Sequence, residues 1–186
     1  MRAIIRGMPR IFFGGVPVER AGDERLAIHK LRVRADGGGL WLASEAFGEG
    51  RPIPTDYSSE GKGKPPPLRW RGAPRDTRSL ALIVEDPDAP TPNPYVHWLL
   101  YGIGSQALTP QEALARGASQ GRNSGLRAAW APCAPPKGDH AHRYFFQLFA
   151  LDRTLPLQPG VGRSALLESI RGHVLGCATL IGTYQR

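Results

Sequence analysis

An aspartate, two histidines and a tyrosine stand at positions where their chemistry is useful. Asp86 closes an apolar run in Leu80-Ala81-Leu82-Ile83-Val84-Glu85-Asp86-Pro87-Asp88-Ala89-Pro90, His97 follows in Tyr95-Val96-His97-Trp98-Leu99-Leu100-Tyr101, and His142-Arg143-Tyr144 opens a third run ending at Leu151. A carboxylate orients an imidazole or accepts from a ligand amine, and histidine and tyrosine donate hydrogen bonds to an oxyanion. In one cleft these groups would hold a small phosphate-like ligand, with Pro136 and the Lys137-Gly138 turn as a rigid wall. A carboxylate repels a bound phosphate, so the histidines must be partly charged or held through Asp86. Taken singly, Asp-Pro-Asp is a common turn and a strand histidine is commonly a satisfied core residue. The combination carries the reading.

The same groups permit a second chemistry, acid–base hydrolysis by Asp86 with His97 or His142. Covalent catalysis fits less well. Ser124 in Gly121-Arg122-Asn123-Ser124-Gly125 lacks the strand-to-helix Gly-x-Ser-x-Gly setting, and Cys133 lies among prolines with no sign of an activated thiol. Asp86, Asp88, His97, His140 and His142 are metal-type donors, but their spacing matches no recognised ligand signature, so neither a metal nor a cofactor is expected.

The elements that must position these residues are mostly strands. Ser79 to Val84 is apolar on both alternating faces, as a central strand is. Pro87 lacks an amide hydrogen and disfavours helix at Asp86, so the ladder stops there and leaves Asp86 at a strand end. Alternation groups His97 with Tyr95, Leu99 and Tyr101 against Val96, Trp98 and Leu100. It also groups His142, Tyr144, Phe146 and Leu148 against Arg143, Phe145, Gln147 and Phe149. Further strands are expected at Leu40 to Ser44, Leu68 to Trp70 and Gly176 to Tyr184. Thr109-Pro110-Gln111-Glu112 is a helix-start pattern for a short helix to Arg116, and Ser164 to Val174 reads as an amphipathic helix with Leu166, Leu167 and Ile170 on one face.

Leu26, Ala27, Ile28, Leu31 and Val33 fit a short helix or a strand equally, and Asp36-Gly37-Gly38-Gly39 then breaks the chain. Residues 1–37 are therefore expected to be an N-terminal extension of unclear role, and residues 38–186 the domain that carries the site.

With 186 residues, one core is the default; 41% hydrophobic residues exclude wholesale disorder, and 23 glycines with 18 prolines favour a loop-rich, mostly β domain. The formal charge of +8 attracts anions. Its carriers are dispersed: Arg2, Arg6, Arg10, Arg32 and Arg34, then Lys62, Lys64, Arg69, Arg71, Arg75 and Arg78. No zinc-finger or RNA-binding signature accompanies them, so no specific nucleic acid is expected. Cys133 and Cys177 form no C-x-x-C pair and fit a reducing, cytoplasmic setting. The first residues are too interrupted by Arg6, Arg10 and Gly14-Gly15 for a secretory signal, and nothing approaches the roughly 20 apolar residues of a membrane helix.

The stretch Leu80 to Pro90, Val96-His97-Trp98, Pro135-Pro136-x-Gly138 with His142-Arg143-Tyr144-Phe145-Phe146-x-Leu148, Ala150-Leu151-Asp152, Gly172-His173-Val174-Leu175 and Gly182-Thr183-Tyr184 together resemble the phosphatidylethanolamine-binding proteins. These are also called Raf kinase inhibitor-like proteins, and the likeness is strongest to their bacterial branch. The resemblance covers roughly residues 40–186. It implies two antiparallel sheets of Greek-key type, a short C-terminal helix and a few small peripheral helices. It also implies a cavity for phosphate or phosphoethanolamine-like groups, lined by Asp86, His97, Pro136, His142 and Tyr144 and supported by Asp88, Trp98 and Gly138. Regulation of a partner such as a kinase or protease, rather than catalysis, and a homodimer are further implications. Three positions depart from the family pattern: residues 1–37 precede its usual start, Trp130-Ala131-Pro132 replaces aromatic-Gly-Pro, and Asn123-Ser124 replaces Asn-Asp.

Overall fold

The computed structural model of the chain describes residues 12–13, 16–17, 19–33 and 39–186. Arg2, Arg6, Arg10, Arg34 and the Asp36-Gly37-Gly38 part of the chain break lie outside the described residues. Among the described residues, ten strands and three α-helices follow in order: β1 Phe12–Phe13, β2 Val16–Pro17, α1 Ala27–Leu31, β3 Trp41–Ser44, β4 Arg51–Pro52, β5 Leu68–Arg71, β6 Ser79–Asp86, β7 Tyr95–Ile103, α2 Pro110–Ala115, β8 Ser119–Gly121, β9 His142–Leu151, α3 Arg163–Ile170 and β10 Val174–Tyr184.

Two sheets build the domain, and β1 pairs with β2 in a separate two-stranded hairpin. The larger has the order β4-β10-β9-β6-β7-β8, and β3 with β5 forms the smaller. The pairings are antiparallel except at one edge, where β10 runs parallel to β4. β6 lies at the centre of the large sheet between β7 and β9, which is why all eight of its residues are buried. Its two faces feed two cores. Leu80, Leu82 and Val84 join Leu42, Leu68, Trp70, Phe146 and Leu148 between the sheets. Ala81 and Ile83 join Phe145 and Phe149 with Leu26, Ala27 and Ile28 of the N-terminal segment and Leu166, Leu167 and Ile170 of α3. The mostly β architecture expected from the sequence is the one observed.

Two expectations need correction. The alternation that grouped His97 with Leu99 and Tyr101 fails because β7 carries a bulge: Val84 pairs with Trp98 but Glu85 pairs with Val96, so two steps on β7 oppose one on β6. Val96 thereby joins Leu99 and Tyr101 in the second core, while His97 turns to the side of Tyr144. A bulge re-aims a side chain and bends the strand locally. The C-terminal helix stops at Ile170, short of Val174, because Gly172 adopts the left-handed conformation (φ 78°) that ends helices. Val174 begins β10 instead.

The cap of α2 forms as the sequence predicts, with the Thr109 side chain accepting from the amide of Glu112 at 3.2 Å. Within residues 26–33 the chain forms the short helix α1, Ala27–Leu31, bound by side chains of the large sheet: Glu85 Oε2 accepts from the amide of Ala27 and Gln147 Oε1 from that of Ile28, both at 2.8 Å. Among the described residues no helix is long and apolar enough to cross a membrane.

Candidate functional site

Asp86, His97, Pro136, His142 and Tyr144 line one cavity of about 290 Å³, together with Ala89, Pro90, Thr91, Tyr95, Pro132, Ala134 and Pro135. Three strands and two proline-stiffened loops supply these groups. The end of β6 gives Asp86, the bulge of β7 gives His97, and the first turn-free residues of β9 give His142 and Tyr144.

Asp86 is fixed at both oxygens. Oδ1 accepts from the amides of Asp88 and Ala89 at 2.8 and 3.0 Å, which makes the Asp-Pro-Asp turn a consequence of this carboxylate. Oδ2 lies 2.8 Å from Nδ1 of His142. Nε2 of His142 lies 3.1 Å from Oδ2 of Asp139, itself buried. Both ring nitrogens therefore donate to carboxylates, a pattern only an imidazolium satisfies. Burial opposes this charge, but the Asp86 and Asp139 carboxylates outweigh it and hold His142 above the usual histidine range.

Asp139 is in turn held by Arg20 of the N-terminal segment, whose guanidinium donates to Oδ2 at 2.6 Å and comes within 3.4 Å of Nε2 of His142. Burial alone would raise Asp139; hydrogen bonds from Arg20, His142 and His140 reverse that and keep it well below the usual carboxylate range. Neither Arg20 nor Asp139 was singled out by the sequence. Asp139 offered a weak signal, an acid three residues before His142, whereas Arg20 meets Asp139 across 119 residues of chain and carries none.

His97 has the opposite electrostatics. Its Nδ1 lies 2.7 Å from the carbonyl oxygen of Ala131 and must carry the proton, because a carbonyl only accepts. Burial is the leading cause that lowers this histidine below its usual range, which favours the neutral ring. Tyr95, Trp130 and Tyr144 surround it with ring centroids 4.9, 5.8 and 5.0 Å away. Ala131 also donates its amide to the carbonyl of His97 at 2.8 Å and has no left-handed φ, so its methyl is accommodated in a backbone pairing that needs no glycine.

Tyr144 is fully buried, and its hydroxyl is enclosed beside the Cys133 thiol and the amide of Ala134. Burial pushes both it and the neighbouring Cys133 thiol up, so the phenol stays a donor and the thiol an unreactive one.

The residues expected to support the site do so unequally. Asp88 accepts from the amide and guanidinium of Arg143 at 2.8 to 2.9 Å, and Arg143 reaches on to Asp23. Gly138 supplies a positive φ of 78° before Asp139 and donates to the carbonyl of Arg186. Trp98 points into the core, its indole donating to Gln120 at 2.7 Å, and its ring packs against Trp130, which in turn packs against His97. Ser124 binds the backbone of Val96, closing the loop against β7. The basic stretch from Lys62 to Arg71 does not line the cavity: Lys62 and Lys64 reach Asp56, and Arg69 and Arg71 lie over Trp41. Among the described residues no three His, Cys, Asp or Glu side chains are grouped to hold a metal ion.

Comparison with known proteins places this geometry in context. Residues 43–185 match the family model described as phosphatidylethanolamine-binding protein. A UPF0098 protein of Chlamydia muridarum is 42% identical over 151 residues, covering 79% of this chain and 99% of the relative. A UPF0098 protein of Pyrococcus horikoshii is 36% identical over 194 residues, covering 98% of this chain and 95% of the relative. The crystal structure of a Chlamydia trachomatis homologue of phosphatidylethanolamine-binding protein superposes with a TM-score of 0.74 at 39% identity, over 80% of this chain and 99% of that one.

Proposed function

We propose, from the premise that this chain belongs to the phosphatidylethanolamine-binding protein family, that it is a binding protein whose cavity captures a phosphate or phosphoethanolamine-like group. The observation that supports this reading best is the convergence of Asp86, His97, His142 and Tyr144 with the proline loops on one cavity. A volume of about 290 Å³ suits a head group rather than a whole lipid. The walls of Ala89, Pro90, Pro132, Ala134 and Pro135 are apolar and stiff, so few side chains need ordering when a ligand enters.

Acid–base hydrolysis is less well supported. His142 has both nitrogens committed to carboxylates, and Asp86 pairs with His142 rather than with His97. The role of residues 1–37 belongs to the same proposal: the segment around Arg20 to Ile28 clasps the domain and brings a guanidinium to the rim of the site. Occupancy of the cavity would then regulate a protein partner, such as a kinase or protease. The buried thiols Cys133 and Cys177 support a reducing, cytoplasmic setting.

Calorimetric titration with phosphate, phosphoethanolamine and acetate tests the reading. Saturable binding of phosphoethanolamine, weakened at least tenfold by His97→Gln, is expected. No heat from the wild-type protein, or equal affinity after that substitution, would overturn it.

A further inference from the structure

We infer that one face of the large sheet is a peptide-binding site, that residues 20–28 of this chain are the peptide seated on it, and that its docking ties the two walls of the cavity together. The peptide site stands on its own contacts; its effect on the cavity rests on the anion-site reading above.

The segment is held as a ligand is held. Leu26 and Ala27 are fully buried in one apolar cluster with Ile83 and Phe149 of the sheet and Leu166 of α3. α1 has only five residues and starts behind Leu26, so no side chain of its own caps its first amides. Isolated helices shorter than about 12 residues are marginal in water. The sheet supplies what the segment lacks: Glu85 receives the amide of Ala27 and Gln147 that of Ile28, and both acceptors are wholly buried. These acceptors do not depend on the segment for partners, since Gln147 Nε2 donates to Glu85 at 2.7 Å and Arg163 pairs with the same carboxylate. Residues 20–28 also precede residue 43, where the match to the family begins, so they are no part of the pattern that defines the fold. A face with its own satisfied polar floor, and a helix too short to form without it, fit coupled folding and binding. The ligand class follows: an uncapped apolar helical turn with an arginine ahead of it.

The same segment bridges the cavity. Gly22 donates its amide to the carbonyl of Pro87 at 3.4 Å and Arg25 donates to that of Pro92 at 2.6 Å, so the loop that brings Ala89, Pro90 and Thr91 to the cavity is held at both ends. Asp23 accepts from both terminal nitrogens of Arg143, whose guanidinium also binds Asp88 in that loop. On the other wall Arg20 binds Asp139, which holds His142. Arg20, Gly22, Asp23 and Arg25 do not themselves line the cavity, so they are positioning residues that act through groups which do. Undocking the segment would release all of these ties at once.

The test is calorimetric titration of the full chain with phosphoethanolamine in the variants Leu26→Asp and Ala27→Pro, neither residue lining the cavity. The first puts a charge in the apolar seat. The second suits the extended backbone of Leu26 (φ −59°, ψ 154°) and the first turn of a helix, but removes the amide that Glu85 receives. Each should weaken binding about tenfold, as Arg20→Gln does. Adding Arg20→Gln to either should weaken it no further, because both changes act through one docked segment. A synthetic peptide of residues 19–33 should restore the affinity of the Leu26→Asp protein, and the same peptide carrying that substitution should not. Hydrogen exchange should show the amide of Ile28 losing protection in both variants while β6 and β9 keep theirs. An Ile28 amide still protected in both, wild-type affinity once it is released, losses that multiply in the double variant, or no rescue by the peptide would overturn the inference and leave the anion site standing. Loss of protection throughout β6 and β9 would make the segment part of the core and overturn it as well. Absence of binding by the wild-type protein would overturn both readings.

Discussion

Nδ1 of His142 lies 2.8 Å from Oδ2 of Asp86, and this contact ties the end of β6 to the first residue of β9 across 56 positions of chain. Both side chains are almost wholly buried. A buried ion pair contributes little beyond an apolar substitute, but breaking it leaves an uncompensated charge. Asp86→Asn removes that charge with little change of shape and leaves the imidazolium one carboxylate short. Stability should fall by about 3 kcal/mol, read by urea denaturation with an unchanged slope.

The same imidazolium sets the pH dependence. Its folded value lies above the ordinary 6.5, so its contribution is fully present below pH 6.5 and is lost as pH rises through the folded value. Asp139 acts at the acid end: its folded value lies below 3.8, so its contribution is present above 3.8 and is lost as pH falls through the folded value. His97, lowered by burial, contributes stability present above 6.5 and lost as pH falls through its own folded value. Denaturation midpoints should decline as pH rises above 6.5, and His142→Gln should flatten that decline. A flat alkaline limb in the wild-type protein would contradict this assignment.

Arg20 joins the site from a distant part of the chain. Arg20→Gln leaves Asp139 with one cation fewer and shifts the local balance to net negative. Anion affinity should drop on the order of tenfold, the size expected for losing one partly screened charge near a buried site. Asp139→Asn shifts the balance the other way and should strengthen binding of the same anion, which separates electrostatics from a loss of structure.

Glu85 is the second buried acid at the end of β6, and it faces the opposite core. Its Oε1 pairs with Nε of Arg163, and its Oε2 accepts from Gln147 and from the amide of Ala27. Arg163 also donates to the carbonyl of Arg25, so one guanidinium fastens α3 to the N-terminal segment. Arg163→Met should cost about 3–5 kcal/mol. Hydrogen exchange should rise first at the amides of Ala27 and Ile28. Uniform protection of that segment in the variant would show that the clasp is held by the apolar contacts of Leu26 and Ile28 alone.

How much of this was legible in the sequence follows from what kind of signal each residue leaves. β6 and β9 could be read because every second residue on each face is apolar, and a period of two survives any tertiary arrangement. The convergence of Asp86, His97, Pro136, His142 and Tyr144 on one cavity followed from strand ends, proline loops and the family pattern. The orientation of His97 did not, since the bulge opposite Val84 and Glu85 changes which residues share a face and leaves no mark in composition. The end of α3 was missed because Gly172 mattered more than the apolar spacing that continues to Val174. Arg20 and Asp139 were missed for a different reason: an ion pair between a loop and a distant segment has no period at all.

The most direct test of the central claim is a nitrogen NMR titration of the histidine side chains with phosphoethanolamine at about pH 6. The account predicts a saturable shift of Nε2 of His97, with both nitrogens of His142 remaining protonated in the free and bound protein. A saturable response elsewhere that leaves His97 unmoved, or a neutral His142 in the free protein, would contradict it.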